Sequence, residues 1–385
     1  MLLLRLILKN AFRHRLRAVL TILGVAVALL AFGLLRTVID AWNAGVAASS
    51  ANRLVTRNAV SMAQPLPYAD KMHIRQTPGV TAAGAGMWFG GVYIDEKNFF
   101  ASFAMEGEDF FKLYPEVSVP EDQARAFLLD RKGAMVGIRL ANRFHWKLGD
   151  PVTLRGTIYP GQWTFTIRAI YKAGQPGFDE STLYMHWAYL DESLKITNPH
   201  RAGQVGFFVV GIADPAQAAT ISKAIDAQFV NSQAETLTET EKAFQLGFVA
   251  MSSAILLAIE MVSYVVIGII LAVAANTMAM AARERAGEFA VLKTLGFRGR
   301  TLSLMLLAES MILSLAGTLV GVAGLKPATA LIARTLDQYF PVFAVSRPTV
   351  LAGIGFGALV GVLAAAVPAW RVRTVSIAAA FRRIG

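Results

Sequence analysis

The polarity pattern along the chain divides it into four long apolar runs and one long mixed stretch. The runs are Ala18 to Leu35, closed by Arg36; Met261 to Ala282, between Glu260 and Arg283; Thr301 to Leu325, with the single charge Glu309; and Thr349 to Val367, ahead of Pro368. About 20 apolar residues in a helix cover the roughly 30 Å of a bilayer's hydrocarbon, so each run predicts a spanning helix. Residues 40–245 carry mixed charge and no such run, and their length is that of a domain.

Inside that stretch the periodicity shortens. Trp163, Phe165, Ile167 and Ala169 alternate with Thr164, Thr166 and Arg168, as in a half-buried strand, and Gly133 to Val136 and Gln204 to Ile212 also read as strands. Pro215 opens a helical pattern that places Ala218, Ile221, Ile225 and Phe229 on one face. Turns at Pro160-Gly161, Pro176-Gly177 and Asn198-Pro199 punctuate an α+β pattern. Thr238 followed by Glu241 resembles a capping box, which predicts one unbroken helix from Glu239 to Ala282, a stalk running into the second span. At the start of the chain Leu2, Leu3, Leu6, Phe12 and Leu16 interleave with Arg5, Lys9, Arg13 and Arg17, the pattern of a basic amphipathic helix lying at a headgroup surface.

Composition adds the compartment. The chain has 385 residues, 55% hydrophobic and 16% charged, with 37 Lys+Arg against 26 Asp+Glu and a formal charge of +11. So few charges argue against a plain soluble enzyme, and so many apolar residues argue against disorder. The basic residues abut the apolar runs: Arg5, Lys9, Arg13, Arg15 and Arg17 before the first, Arg283, Arg285, Lys293, Arg298 and Arg300 after the second, Arg371, Arg373, Arg382 and Arg383 after the fourth. Retention of positive flanks on the cytoplasmic side puts both termini and the loop 283–300 inside, and residues 40–245 outside. The expected architecture is therefore an α-helical membrane protein with four transmembrane helices plus an extracytoplasmic α+β domain inserted between helices 1 and 2. Its parts are an elbow helix at 1–17, spans at 18–38, 239–282 (stalk included), 301–325 and 349–368, an outer loop at 326–348 and a tail at 369–385. A cleaved signal peptide would share the basic start and the small residues from Ala44 to Ala51, but the first run is long for one.

Catalytic patterns do not emerge. No Gly-Lys is followed by Ser or Thr, so the phosphate-cradling loop of a nucleotide site is missing, and neither Gly-x-Ser-x-Gly nor His-Glu-x-x-His occurs. With no Cys, thiolate chemistry and disulfides are excluded. His14, His73, His145, His186 and His200 lack ligand spacing, and Asp95-Glu96, Glu108-Asp109 and Asp179-Glu180 read as solvated loop carboxylates. The aromatic clusters Trp88-Phe89, Phe99-Phe100, Phe110-Phe111 and Tyr184 to Trp187 read as core, with an apolar groove for a hydrophobic substrate as the alternative. No nucleic-acid-binding pattern accompanies the basic residues.

The loop after the second run carries the sharpest signal. Phe289, Leu292 and Leu295 recur at i, i+3 and i+6, a short amphipathic helix that Gly296 can end, with Glu284 and Glu288 four residues apart beside Arg285. It is either an interfacial helix between two spans or one whose apolar face docks into a cytoplasmic partner. Gly317 with Gly321, and Gly353, Gly357 and Gly361, form G-x-x-x-G steps that serve packing within one subunit or between two. Glu309 is an intramembrane acid, functional by default or else satisfied by a polar group on another helix.

The loop sequence Arg-Glu-Arg-Ala-Gly-Glu-Phe-Ala-Val-Leu-Lys-Thr-Leu-Gly (283–296) resembles the signature of FtsX/MacB-like (LolC/LolE-like, type VII) ABC transporter permeases. Lys9 to Arg13, Arg17 to Gly24, Leu307 to Ser310 and Val367 to Arg371 resemble other parts of that family, while Ser376-Ile377 departs from its usual ending. The resemblance implies a non-enzymatic membrane subunit that dimerises with a second copy or a paralogue. A cytoplasmic ABC ATPase would hold ATP and Mg, so this chain needs no cofactor or metal of its own. By the same resemblance Glu284, Arg285, Glu288, Phe289, Leu292, Lys293, Leu295 and Gly296 contact the ATPase, whose motion passes through the helices to a MacB-like periplasmic core domain. The implied function, in a bacterial inner membrane, is export or extraction of lipoprotein, peptide or hydrophobic envelope substrates. The alternative is an FtsX-like regulator of an extracytoplasmic enzyme such as a cell-wall hydrolase; a sensor independent of any ATPase is a third reading. Membrane lipid and a periplasmic adaptor or membrane-fusion protein complete the expected partners.

Overall fold

A computed structural model describes residues 2–174, 178–336 and 343–374. The turn at Pro176-Gly177, the tail residues Arg382 and Arg383, Ser376-Ile377 and the side chains of Leu2, Leu3, Arg5, Leu6 and Arg334 lie outside the described residues. The chain forms two compact units: a helical one of residues 1–41, 253–335 and 343–385, and an inserted one made mainly of 42–252.

In the helical unit α1 (Leu2–Ala11) leads to α2 (Arg15–Trp42), and the chain returns as α3 (Ser253–Glu284), α4 (Ala286–Thr294), α5 (Gly299–Leu336) and α6 (Arg347–Thr374). Among the described residues α2, α3, α5 and α6 are the four helices long and apolar enough to cross a membrane. The amphipathic start ends sooner than its pattern predicts, because the chain bends at Phe12 to His14 and Leu16 is already the second residue of α2. Val25, Leu29 and Phe32 of α2, Ile267, Ile270 and Ala274 of α3, Leu302 and Leu306 of α5 and Val360 and Ala364 of α6 form one core. The helix of the third apolar run extends well past Leu325, to Leu336, with Lys326 and Pro327 inside it.

The inserted unit is built on a mixed sheet. Its strands in chain order are β1 (Arg53–Asn58), β2 (Val80–Trp88), β3 (Gly91–Val92), β4 (Ser102–Met105), β5 (Gly133–Gly137), β6 (Pro151–Gly156), β7 (Gly161–Ala173), β8 (Leu183–His186), β9 (Phe207–Ile212) and β10 (Thr236–Thr240). They lie in the order β10-β1-β9-β2-β4-β8-β5-β7-β6-β3, with Val117–Ser118 added to β7. The pairs β8–β4 and β5–β7 are parallel; the others along that order are antiparallel. In β7 Trp163, Phe165, Ile167 and Ala169 are all buried, so the alternation read from the sequence faces the core. Gln204 to Ile212 is two strands, because Gln204–Val205 pairs with Leu66–Pro67 in a separate ladder. Pro215 opens a 3-10 turn that continues into the helix Ala218–Asp226, whose Ala218, Ile221 and Ile225 are buried together with Phe229.

The unbroken helix expected from Glu239 to Ala282 does not form. Thr236, Thr238 and Thr240 are β-branched residues at alternate positions and pair with β1 as β10. The cap is Thr240, whose Oγ1 accepts the Ala243 N–H at 3.2 Å; the Thr238 hydroxyl donates to Asp226 at 2.7 Å. The helix Glu241–Met251 then ends, and Ser252 separates it from α3.

Candidate functional site

The strongest candidate in the sequence, the loop 283–300, has its shape set by two backbone breaks. Arg285 leaves helical geometry between α3 and α4, and Gly296 takes a φ of +92°, where a side chain would be strained. There the Gly296 N–H donates to Lys293 O at 3.1 Å and the Phe297 N–H to Leu292 O at 3.0 Å, closing the C-terminus of α4 as the sequence predicts.

Charged side chains then fasten α4 to its neighbours. Arg285 donates through Nη1 to Glu309 of α5 at 2.7 Å and through Nε to Glu288 at 3.2 Å, with its guanidinium 5.2 Å from the Phe289 ring centroid. Arg285 and Glu309 are only 8% and 7% exposed, so the intramembrane acid is satisfied, and by the loop helix rather than by another span. Glu288 also pairs with Arg13, and Glu284 with Arg17 at 2.7 Å, which ties the start of the chain to the same segment. Burial alone would raise the Glu288 carboxyl, but Arg13 and Arg285 more than offset it and hold it below the usual carboxylate range. The pairs that Glu288 makes with Arg13 and Arg285 are therefore charged at neutral pH, and their contribution fades as pH falls through that lowered value. The Lys293 ammonium donates to Arg373 O of α6 at 3.3 Å.

The face drawn through Phe289, Leu292 and Leu295 does not act as one surface. Each step of three residues rotates by about 60° on a helix of 3.6 residues per turn, so its ends diverge by about 120°. Phe289 is 2% exposed within the helical core and Leu292 is half-buried against it, whereas Leu295 is 70% exposed. The exposed apolar residues of the segment are Val291, Leu295 and Phe297. Spacing by four, from Val291 to Leu295, was the signal in the sequence that would have found this ridge.

The glycine steps are filled inside the chain. A Cβ at Gly317 would lie 2.7 Å from Ile22 O and one at Gly321 2.8 Å from Ala26 O, so α5 rests directly on the backbone of α2. On α6, Gly357 abuts Thr318 of α5, and a Cβ at Gly361 would lie 2.8 Å from the Met311 sulfur. Ser314 donates to Gly357 O at 2.6 Å, and Gly353 is the loosest member, with Val322 4.0 Å from its notional Cβ. At the opposite ends of these helices Asp40 accepts from Ser346 at 2.6 Å and Thr349 at 2.7 Å, and Arg36 pairs with Glu260 at 3.3 Å.

In the inserted unit most of the sequence candidates are structural. Phe89, Phe100 and Phe110 are core residues, and Phe99 is exposed near Trp88. His186 is buried with Nε2 2.8 Å from Phe127 O. Glu108-Asp109 is not a solvated loop pair: both residues start the helix Gly107–Leu113, and Asp109 is buried 2.9 Å from the Lys71 ammonium. Among the described residues no three His, Asp or Glu side chains gather as metal ligands. Arg53 is a buried charge that the sequence did not single out. It lies 2.6 Å from Glu116 and 2.9 Å from Glu241, fastening the first turn of the helix Glu241–Met251 to β1.

A family model described as FtsX-like permease C-terminal matches residues 260–377, and one described as MacB-like periplasmic core domain matches residues 18–228. No curated protein matches the chain. Similar solved structures include the extracellular domain of the noncanonic ABC-type transporter YknZ from Gram-positive bacteria, 12% identical over 49% of this chain and 100% of that one, with a TM-score of 0.36. They also include the periplasmic region of MacB from Actinobacillus actinomycetemcomitans, 10% identical over 51% of this chain and 92% of that one, also with a TM-score of 0.36. With the MacB-like match covering more than half of its residues and the FtsX-like match running from within α3 through α6, the chain belongs to the FtsX/MacB-like ABC transporter permeases.

Proposed function

We propose that the chain is the mechanical subunit of an ABC transporter, in which a separate cytoplasmic ATPase moves α4 and the helical unit carries that motion to the inserted domain. The observation that carries this reading is the pairing of an exposed apolar ridge, Val291, Leu295 and Phe297, with a helix fastened to α5 through Arg285 and to α6 through Lys293. A partner pressing on the ridge displaces a lever already joined to two spans. ATP and Mg belong to the partner, whose hydrolysis supplies the work. The substrates proposed are lipoproteins, peptides or hydrophobic envelope components handled by the inserted domain on the outer side of the membrane.

Leu295→Asp and Val291→Asp test the contact, because both side chains are exposed and their replacement leaves the core intact. Chains purified from native membranes should retain an ABC ATPase in the wild type and lose it in both variants, at unchanged abundance and thermal midpoint. Undiminished ATPase with both variants, or none with the wild type, would sink the coupling role. The proteins recovered alongside separate transport from regulation: an adaptor or outer-membrane conduit supports transport, and a peptidoglycan hydrolase supports regulation.

A further inference from the structure

We infer that Arg13 and Arg17, at the start of the chain, are positioning residues for the ATPase contact: by pairing with Glu288 and Glu284 they set the attitude of α4 and of its exposed ridge. The inference rests on the coupling reading and deepens it. The two carboxylates that the family resemblance would assign to the ATPase are engaged within the chain instead.

The helical unit bends at two joints, Phe12 to His14 between α1 and α2 and Arg285 between α3 and α4. Neither contains a Gly or Pro, two usual causes of a sharp bend, so side-chain contacts must hold each angle. The ion pairs cross both joints. Arg13 lies within the first and reaches Glu288, beyond the second; Arg17 lies past the first, in α2, and donates at 2.7 Å to Glu284, the last residue of α3. The partners are 275 and 267 positions apart in sequence, so neither pair is a local consequence of one helix. α1 is itself seated: Ile7 packs against the core that holds Phe289, and Ala11 is buried with Ala18 and Leu313.

One exposed ion pair adds little to stability, but these belong to a network. Glu288 accepts from Arg285, which in turn holds Glu309, so a continuous chain of charges runs from Arg13 through α4 to α5. Glu288 also stands on the face that carries the ridge. Glu288, Val291 and Leu295 fall at i, i+3 and i+7, so the Arg13 guanidinium closes the N-terminal end of the ridge. Phe289, one residue on and about 100° round the helix, is sunk in the core. Two tethers on different faces fix the rotation of α4 about its own axis, and with it the direction in which Val291 and Leu295 project.

Charge exchange tests this at Arg17 and Glu284, because Glu288 has a second partner in Arg285. At equal chain abundance in native membranes, Arg17→Glu and Glu284→Arg should each lower the ABC ATPase retained per chain about fivefold or more, and the double exchange should restore it. Arg13→Ala should act like the single reversals, and Arg13→Lys, which keeps the charge, like the wild type. Position is read without the ATPase. The chain has no native Cys, and Leu292 is half-buried, so on the purified chain Leu292→Cys should react faster with a maleimide in each reversal and at its original rate in the double exchange. Reversals that leave labelling or ATPase retention unchanged would overturn the inference. So would a double exchange that fails to restore the ATPase, because the reversed side chains would then be missed by the ATPase itself. A wild type that retains no ATPase while labelling follows the pairs removes the coupling role and leaves the pairs as the ties that hold α4.

Discussion

Arg285 sits where α3 stops being helical, and the side chain it directs to Glu309 joins two charges that are both nearly hidden from the surface. Such a pair is held by mutual satisfaction more than by net attraction, because each group alone would be a buried charge without a counterion. Glu309→Gln should therefore lower stability by about 3–5 kcal/mol, and Arg285→Gln by a similar amount. The double variant Arg285→Gln with Glu309→Gln should cost clearly less than the two single changes added together. Thermal midpoints of the purified chain in detergent measure all three; additive losses would mean that the two residues act independently. Glu309 was conspicuous in the sequence as a lone acid in an apolar run, but its partner was not. Arg285 stood 24 positions away among other basic residues, and only the backbone break at that residue aims it at α5. Arg53 was hidden for the same reason, since an Arg in a strand of mixed polarity shows nothing of Glu116 and Glu241 converging on it.

At the scale of helices and strands, length and periodicity were the legible properties, because the apolar runs and the alternation in β7 are set by burial at fixed spacing. Breaks were less legible. The interruption at Ser252 occurs without Gly or Pro, and β10 claimed residues whose spacing also suited a helix cap. The glycine steps were visible in the sequence, but which helices they bring together was not, since packing within a chain and between chains uses the same small residues. The geometry now separates them. Gly321→Leu must push α5 off the backbone of α2 and should cost about 1–3 kcal/mol through overpacking. Gly353→Ala, with its nearest neighbour 4.0 Å from the added carbon, should leave the thermal midpoint within about 2 °C of the wild type. Equal effects of the two substitutions would mean that the α2–α5 contact is looser than the distances require.

For the whole molecule the net charge of +11 becomes informative once it is distributed. The ion pairs and hydrogen bonds that join Arg17 to Glu284, Lys293 to Arg373 O and Ser303 to Ala369 O gather the start of α2, the end of α3, the start of α5 and the end of α6 at one end of the helical unit. Arg13 and Arg17 are neutralised there by Glu288 and Glu284, yet Arg15, Arg283, Arg298, Arg300 and Arg371 stay exposed at the same end. The opposite ends carry Arg36, Lys326 and Arg347 against Asp40 and Glu260, a nearly balanced set. Retention of positive flanks then predicts that the basic end is cytoplasmic and that residues 42–252, which leave α2 and return to α3 at the balanced end, are outside. Glu121, whose side chain is 92% exposed, and Thr294, exposed on α4, are the positions to label. In intact cells an impermeant maleimide should modify Glu121→Cys and leave Thr294→Cys untouched until the membrane is permeabilised. Labelling in the reverse order would place the basic end outside, and with it the exposed ridge of α4 would be out of reach of any cytoplasmic ATPase.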